Sequence, residues 1–565
     1  MGPYNVSMLW KILLSEVFLA TALHILFQPL EINHDTASLL ETGILLIEGK
    51  TPYVDFTSTN PPLIMYLNAI PAAVASTLSV HIILVFKLMV LLVSIGSALA
   101  ILQILLRSGL DLEKPSCWSI VVSYSLLSLI LLYRPFQYDY GQREHLFVLL
   151  YFPFFVGRWI RWEGGRLSRL AAVATGIVAA LGAFIKPHFL AIALVVELYG
   201  LISNRSRTKL LGLEVYAFAL TGLLYAAHFF ILPEVARNEL FGRWLPFVAE
   251  RYSVYNNSFK ILLDRPSFLP AVTATLPMAF ICATCGNKMA RIAKPLAVCT
   301  LGATASFLLQ HKLWPYHLIP ALYGAVLIWT LSVGECFDRL RANKGASFAI
   351  WLFLQAIIVQ TATIAYFHKW MAKMPAWGWL ILLSAVTVFL YLRKTMTTTV
   401  VVAGVLAILV GWAPWSNSDP LKRNPVAQAI GQHTEEGDPV MFIATSTSAA
   451  FPVLVQMNRR PGSRYIVTWP IPLFYKGTAG TEDGEFPYRR RDELLSEEVR
   501  FLSELSEDIE TIRPRMILVG QGSQNQACPE GFDLRVYLAR TGLMEEILSM
   551  YTPARAVHGY DVFVR

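Results

Sequence analysis

Residues 31–62 read EINHDTASLLETGILLIEGKTPYVDFTSTNPP and follow directly on an apolar segment, 12–30. Five carboxylates, Glu31, Asp35, Glu41, Glu48 and Asp55, crowd into this polar stretch. A carboxylate at a membrane surface can take a proton from a hydroxyl while the lipid phase supplies an activated substrate. Asp35 stands near the start of a helix-permissive run, Thr36–Ile47, expected to end at Gly43 or to run on to Gly49. The positive end of a helix dipole keeps such a carboxylate ionised, as a general base requires. The competing reading of Asp35 is that of a plain N-cap.

A second polar stretch, Tyr138-Asp139-Tyr140-Gly141-Gln142-Arg143-Glu144-His145, lies between two apolar segments. Asp139 and Glu144, with Asp55 and His145 as further members, could hydrogen-bond an acceptor or, together with Asp35, bind a divalent metal. Arg143 could grip a phosphate or pair with one of these carboxylates. The bland alternative is a solvated loop with an internal ion pair. Several charges close to bilayer depth favour function, because each is costly there. Two Lys/His pairs interrupt apolar runs further on: Lys186-Pro187-His188 and Lys312…His317. Such a lysine either snorkels as an anchor or meets an anionic headgroup. For either one alone the anchor is the expectation; two such pairs together point to a lipid-phosphate site. Arg237, Arg243 and Arg251 are further cations in a polar stretch.

The elements that must position these residues follow from composition. The 565-residue chain is 55% hydrophobic and 15% charged, with a mean hydropathy of +0.50. Soluble proteins carry roughly 25% charged residues. This chain is an integral membrane protein, and runs of about 20 apolar residues predict spanning helices rather than a barrel. Apolar segments near 12–30, 81–106, 117–133, 145–160, 169–185, 189–203, 210–232, 267–285, 293–310, 316–335, 347–367, 376–393 and 398–414 predict about 13 spans. Pro62–Val80 is short and interrupted at Pro71, and reads as an interfacial helix. With that helix outside the bilayer, five basic loops fall on the side of the N-terminus: 158–169, 205–209, 288–294, 339–344 and 393–394. That side is cytoplasmic by the positive-inside rule. The stretches at 31–80, 134–144, 186–188, 233–266, 311–315 and 368–375 then face outward, as does the polar tail.

The expected domains are a transmembrane catalytic part, 1–414, and an extracytoplasmic α/β domain, 415–565. In the latter, strands are expected at Val440–Ala444, Met516–Val519 and Val562–Val564, and a helix at Asp492–Leu505. The net charge of +8 sits in short loops and is no nucleic-acid signal. The six cysteines imply no disulfide framework, and the lone Cys282-x-x-Cys285 pair no metal site.

The chain resembles the GT-C superfamily of polyprenyl-phosphate-sugar-dependent glycosyltransferases, in particular the branch of the protein O-mannosyltransferases and the lipid A aminoarabinose transferase. The resemblance rests on His34-Asp35 after the first span, on Gly49-Lys50-Thr51-Pro52-Tyr53-Val54-Asp55-Phe56…Asn60-Pro61-Pro62-Leu63, on Asp139 and Glu144 in the second outer loop, and on the layout of spans plus outer domain. It implies a multi-pass plasma-membrane (cell inner membrane) enzyme that moves a sugar from a polyprenyl-phosphate donor to a hydroxyl of a glycan, lipid or protein. It further implies Asp35 as catalytic base, Asp139 or Glu144 as the second-loop acid that in some relatives helps hold a metal, and Lys186, His188, Lys312 and His317 near the lipid phosphate. Two departures stand out: His34-Asp35 replaces an Asp-Glu pair, and no β-trefoil insertion is evident. The rival expectation is a transporter or flippase of a lipid-linked or anionic solute. It would lean on ionisable groups inside spans, of which Glu16, His24, Lys87 and Glu197 are the evident ones.

Overall fold

The computed structural model describes residues 21–110, 115–132, 139–204, 207–258, 289–312, 314–341, 421–478 and 486–565, with Ser15, Phe18, Leu19 and Ala279 besides. The expected spans at 347–367, 376–393 and 398–414, nearly all of 267–285 and the Cys282/Cys285 pair lie outside these residues. The chain divides into two compact units.

The first unit comprises residues 1–29, 87–226 and 257–416. Label α1 His34–Ile47 and α2 Pro62–Leu78, both treated with the second unit below; α3 then runs Ile82–Arg107, α4 Pro115–Ile130, α5 Arg143–Trp162, α6 Arg169–Phe184, α7 Pro187–Ser203 and α8 Leu213–Ile231. Beyond these come α9, Ala293–Gln310, and α10, Ile319–Arg341. Each coincides with an apolar segment of the sequence. Three stretches, Ile82–Arg107, Leu213–Ile231 and Ala290–Gln310, are long and apolar enough by themselves to cross a membrane. The expected total of about 13 spans exceeds what the described residues display.

Hydroxyls inside these helices find backbone acceptors within the helix or across to a neighbour. Ser94 donates to the Val90 carbonyl, Ser128 to that of Tyr124, and Thr300 to that of Leu296. Ser97 donates to the Leu149 carbonyl at 2.7 Å and meets the Tyr124 hydroxyl at 2.6 Å, tying α3, α4 and α5 together. This is how polar side chains are satisfied where no water reaches them.

Arg158 departs from the sequence expectation. The sequence pattern puts it in a basic loop, yet α5 continues to Trp162 and the Arg158 side chain is fully buried. Its guanidinium donates to both carboxylate oxygens of Glu197, at 2.8 and 2.7 Å, and to Glu214 at 2.9 Å. Arg161 closes the network on Glu214 at 2.7 Å. Two cations and two carboxylates therefore cancel where α5, α7 and α8 meet. Lys87, likewise, donates to the Gln28 carbonyl at 2.7 Å.

The second unit comprises residues 30–86, 227–256 and 417–565. The tail thus forms one compact body with the first polar stretch and with the 227–256 segment. Its sheet has the order β2-β1-β3-β5-β4, with β1 Pro439–Ile443, β2 Arg460–Pro461, β3 Met516–Gly520, β4 Thr552–Val557 and β5 Tyr560–Val564. β1 pairs in parallel with β2 and β3, while β5 is antiparallel to β3 and β4. β1 and β3 are continuous apolar runs, buried almost throughout, as central parallel strands require. Helices α11, Pro425–His433, α12, Ser496–Thr511, α13, Leu534–Thr541, and α14, Leu543–Met550, accompany the sheet. α12 buries Phe501, Leu505 and Ile509 on one face, a helical spacing.

The 233–266 stretch, expected as a loop, is helical from Glu234 to Arg251 and passes through one π-helical segment, Glu239–Trp244. It carries Arg243, which stacks on Trp244 and binds Glu497 at 2.8 Å and Glu504 at 2.9 Å on α12. Arg251 donates to the Leu473 carbonyl at 3.3 Å. Arg243 and Arg251 therefore hold this segment to the tail, and their charges are spent within the unit.

Candidate functional site

The first unit gathers most of the charged residues singled out in the sequence. α5 begins with three of them, Arg143, Glu144 and His145, behind the N-cap Gln142. The loop that delivers them turns at Gly141, whose φ of 77° suits a residue without a Cβ. Lys186 caps α7 with an extended backbone, and Pro187 opens the helix at its first position. α9 stops where His311 adopts a left-handed conformation, φ 53°, and Lys312 follows. His317 sits in the single turn Pro315–Leu318 before α10.

These three helix starts converge. The Lys186 ammonium donates to Glu144 Oε1 at 2.5 Å and lies 3.3 Å from His317 Nε2. His317 Nε2 is 3.6 Å from the same carboxylate oxygen. All three side chains are within the interior, that of Glu144 being only 1% exposed. Lys186 also lies over the rings of Phe189 and Tyr316, at 5.8 and 5.5 Å. Arg143, His188 and Lys312 act electrostatically on His317 together with Lys186. Burial, reinforced by Lys186, holds the His188 imidazole below its ordinary range, so it is neutral at pH 7. Burial also lowers the Lys312 ammonium to about 8. Lys186 and the Glu144 carboxylate thus lie against this imidazole, and Arg143 and Lys312 act on it electrostatically. Glu144 Oε2 and His317 Nδ1 are buried and have no partner among the described residues.

Other candidates take different places. His145 turns its Nδ1 to accept from the Gly141 amide at 3.0 Å, so it closes its own loop as a neutral imidazole. Its ring faces those of Tyr140 and Tyr323, at 5.2 and 6.3 Å. Asp139 is buried, and its carbonyl accepts from the Gln142 amide at 3.1 Å. The pairing of Asp139 with Glu144 as metal ligands fits poorly, because an ammonium holds Glu144. Among the described residues no group of three or more His, Cys, Asp or Glu gathers as a metal site would require.

Asp35 and Asp55 belong to the second unit. α1 starts at His34, and its N-cap is Asn33, whose Oδ1 accepts from the Asp35 amide at 2.8 Å. The N-cap reading of Asp35 is thereby corrected: Asn33 is the cap and the aspartate lies in the first turn. That carboxylate is 21% exposed and stands 3.7 Å from His34 Nε2. The first-turn location provides the helix-dipole field expected for a base. Gly43 does not end α1; it lets the helix press on α2, where a Cβ would come within 2.5 Å of the Asn68 carbonyl group. Asp55 is exposed, and its Oδ2 accepts from the Thr51 amide at 2.7 Å, closing a turn.

One residue of the first polar stretch deserves a role that its crowd of acids concealed. Glu41 is fully buried on α1, and neither carboxylate oxygen has a partner among the described residues. Burial raises its carboxyl to about 8, against the pull of Arg460 and with the push of Glu48, which themselves pair at 2.6 Å. The signal was present: Ala37, Leu40, Glu41 and Ile44 share the helical spacing of a buried stripe.

No family model and no curated protein matches this chain. Among solved structures it is similar to ArnT from Cupriavidus metallidurans bound to undecaprenyl phosphate, at a TM-score of 0.55 and 12% identity, over 98% of this chain and 97% of that one. The likeness shows a shared fold over nearly the whole of both chains.

Proposed function

We propose that this protein is an integral-membrane glycosyltransferase that moves a sugar from a polyprenyl-phosphate donor to a hydroxyl acceptor at the outer face of the plasma membrane. The observation that carries the reading is the buried cationic cluster of Arg143, Lys186 and Lys312 around His317, in a fold shared with a protein solved with undecaprenyl phosphate bound. Such a cluster suits the phosphate of a lipid-linked donor. In the proposed reaction the acceptor oxygen attacks the anomeric carbon and the bond from that carbon to the phosphate oxygen breaks. Asp35 receives the hydroxyl proton, and the configuration inverts. The cations stabilise the charge that grows on the departing phosphate. General-base assistance is worth about 10²–10⁴-fold in rate. In this reading the N-terminus is cytoplasmic and the 415–565 domain extracytoplasmic, as the positive-inside rule implies.

The transporter reading finds less support. Glu197 and Lys87, two of the ionisable groups it would need inside spans, are engaged by Arg158 and by the Gln28 carbonyl. The test is incubation of the purified protein in lipid nanodiscs with radiolabelled polyprenyl-phosphate sugars and a panel of glycan, lipid and peptide acceptors. Transfer to one of them is expected, with Asp35→Asn lowering the rate at least 100-fold at unchanged melting temperature. Normal transfer by a well-folded Asp35→Asn protein removes Asp35 from the role; no transfer to any acceptor from any donor removes the reaction.

A further inference from the structure

The closest ion pair of the cationic cluster poses a problem for phosphate binding. Lys186 is the natural phosphate ligand there, yet its ammonium is held by Glu144 at 2.5 Å. A pair built for stability alone would have its remaining polar atoms satisfied, since buried ions are otherwise costly. Here the second carboxylate oxygen of Glu144 and the second ring nitrogen of His317 are buried without a partner among the described residues. The cluster is incomplete as it stands, and the missing element is one that both accepts from cations and offers an oxygen to an imidazole N–H.

We propose that Glu144 is a positioning residue that holds Lys186 in the place of the lipid phosphate, so that donor binding and product release are an exchange of two anions on one ammonium. This rests on the glycosyltransferase reading above. The chemistry gives the exchange a purpose. A polyprenyl-phosphate sugar is a phosphodiester with one negative charge. Loss of the sugar leaves a phosphomonoester, which carries nearly two at neutral pH. A purely cationic pocket would therefore hold the product more tightly than the donor. A carboxylate beside the same ammonium disfavours the extra charge and reclaims Lys186 as the product leaves. Lys186 and His317 come from separate helix starts, so the exchange needs only side-chain movement.

The experiment measures binding of farnesyl phosphate, a monoester, and of methyl farnesyl phosphate, a diester, to the full-length protein in nanodiscs by calorimetry. Glu144→Gln removes the competing charge and leaves the shape. It is expected to tighten monoester binding at least tenfold and diester binding by a smaller factor. Glu144→Asp, whose carboxylate is drawn back by one methylene, is expected to lie between. It carries the test if the glutamine variant does not melt cooperatively. Wild-type binding of the monoester with unchanged or weaker binding in the folded variants overturns the exchange and leaves the function standing. An equal gain for monoester and diester also overturns it, because the charge discrimination is then absent. Failure of wild type to bind either ester removes the function and the exchange together.

Discussion

Replacing Glu41 by Gln should make the protein more stable at neutral and alkaline pH, and the gain should itself depend on pH. Glu41 is fully buried with both oxygens unpartnered among the described residues, and its carboxyl is raised from 4.5 to about 8. A carboxyl whose pKa rises on folding holds its proton more tightly in the folded chain than in the unfolded one. Stability therefore declines as pH climbs from 4.5 towards 8 and levels off above that. From 4.5 to pH 7 the interval is 2.5 units, which at about 1.36 kcal/mol each is roughly 3 kcal/mol withheld from the wild-type fold. Glutamine fills the same volume and does not ionise. The assay is thermal unfolding of both proteins in one detergent at intervals from pH 5 to pH 9. The two should nearly coincide at pH 5 and diverge steadily upward, with the glutamine protein melting higher at pH 8. Parallel curves over that range would refute the reasoning, for they would mean that Glu41 is ionised in the fold or already satisfied.

Lys312 sets a second pH dependence with the opposite chemistry. Burial lowers its ammonium to about 8, so it loses charge as pH rises past that value, and affinity for farnesyl phosphate should fall there. Lys312→Arg keeps the charge and should shift that fall upward by at least one pH unit, measured by calorimetry. Gly43→Ala places a methyl within 2.5 Å of the Asn68 backbone, which cannot retreat as a side chain could. It should cost roughly 1–3 kcal/mol, read as a lower melting temperature.

Much of the fold was legible because hydropathy is a local property. The helices α3 to α10 fall on apolar segments, and the buried strands β1 and β3 were visible as short apolar runs between polar stretches. β4 was not, and its residues Thr552–Val557 explain why. It is an edge strand, largely exposed, and carries a proline and an arginine where a central strand would carry branched apolar residues. The helical 234–251 segment was missed for a different reason. Its structure is fixed by Arg243 reaching two glutamates, one of them 261 positions away, and no local pattern encodes that.

The candidate site shows the same limit in sharper form. Types were readable: each cation and carboxylate stood out against an apolar background. Pairings were not, because Glu144 meets Lys186 across 42 positions and Lys186 meets His317 across 131. A sequence counts charges one by one, whereas a low-dielectric interior admits them only in balanced sets. Where α5, α7 and α8 meet, Arg158 and Arg161 are balanced by Glu197 and Glu214, and nothing is left to attract a ligand. At the starts of α5 and α7, Glu144 pairs with Lys186 through one oxygen, and its other oxygen is buried without a partner among the described residues. A buried carboxylate oxygen left without a partner among the described residues, rather than the presence of charge, sets the second cluster apart from the first. It also predicts which substitutions bear on ligand binding. Neutralising Lys186 or Lys312 should weaken phosphate binding, while neutralising Arg158 should lower the melting temperature by breaking a closed network. A titration in which Arg158→Gln weakened farnesyl phosphate binding as much as Lys186→Gln, at equal melting temperature, would show that charge balance is the wrong guide.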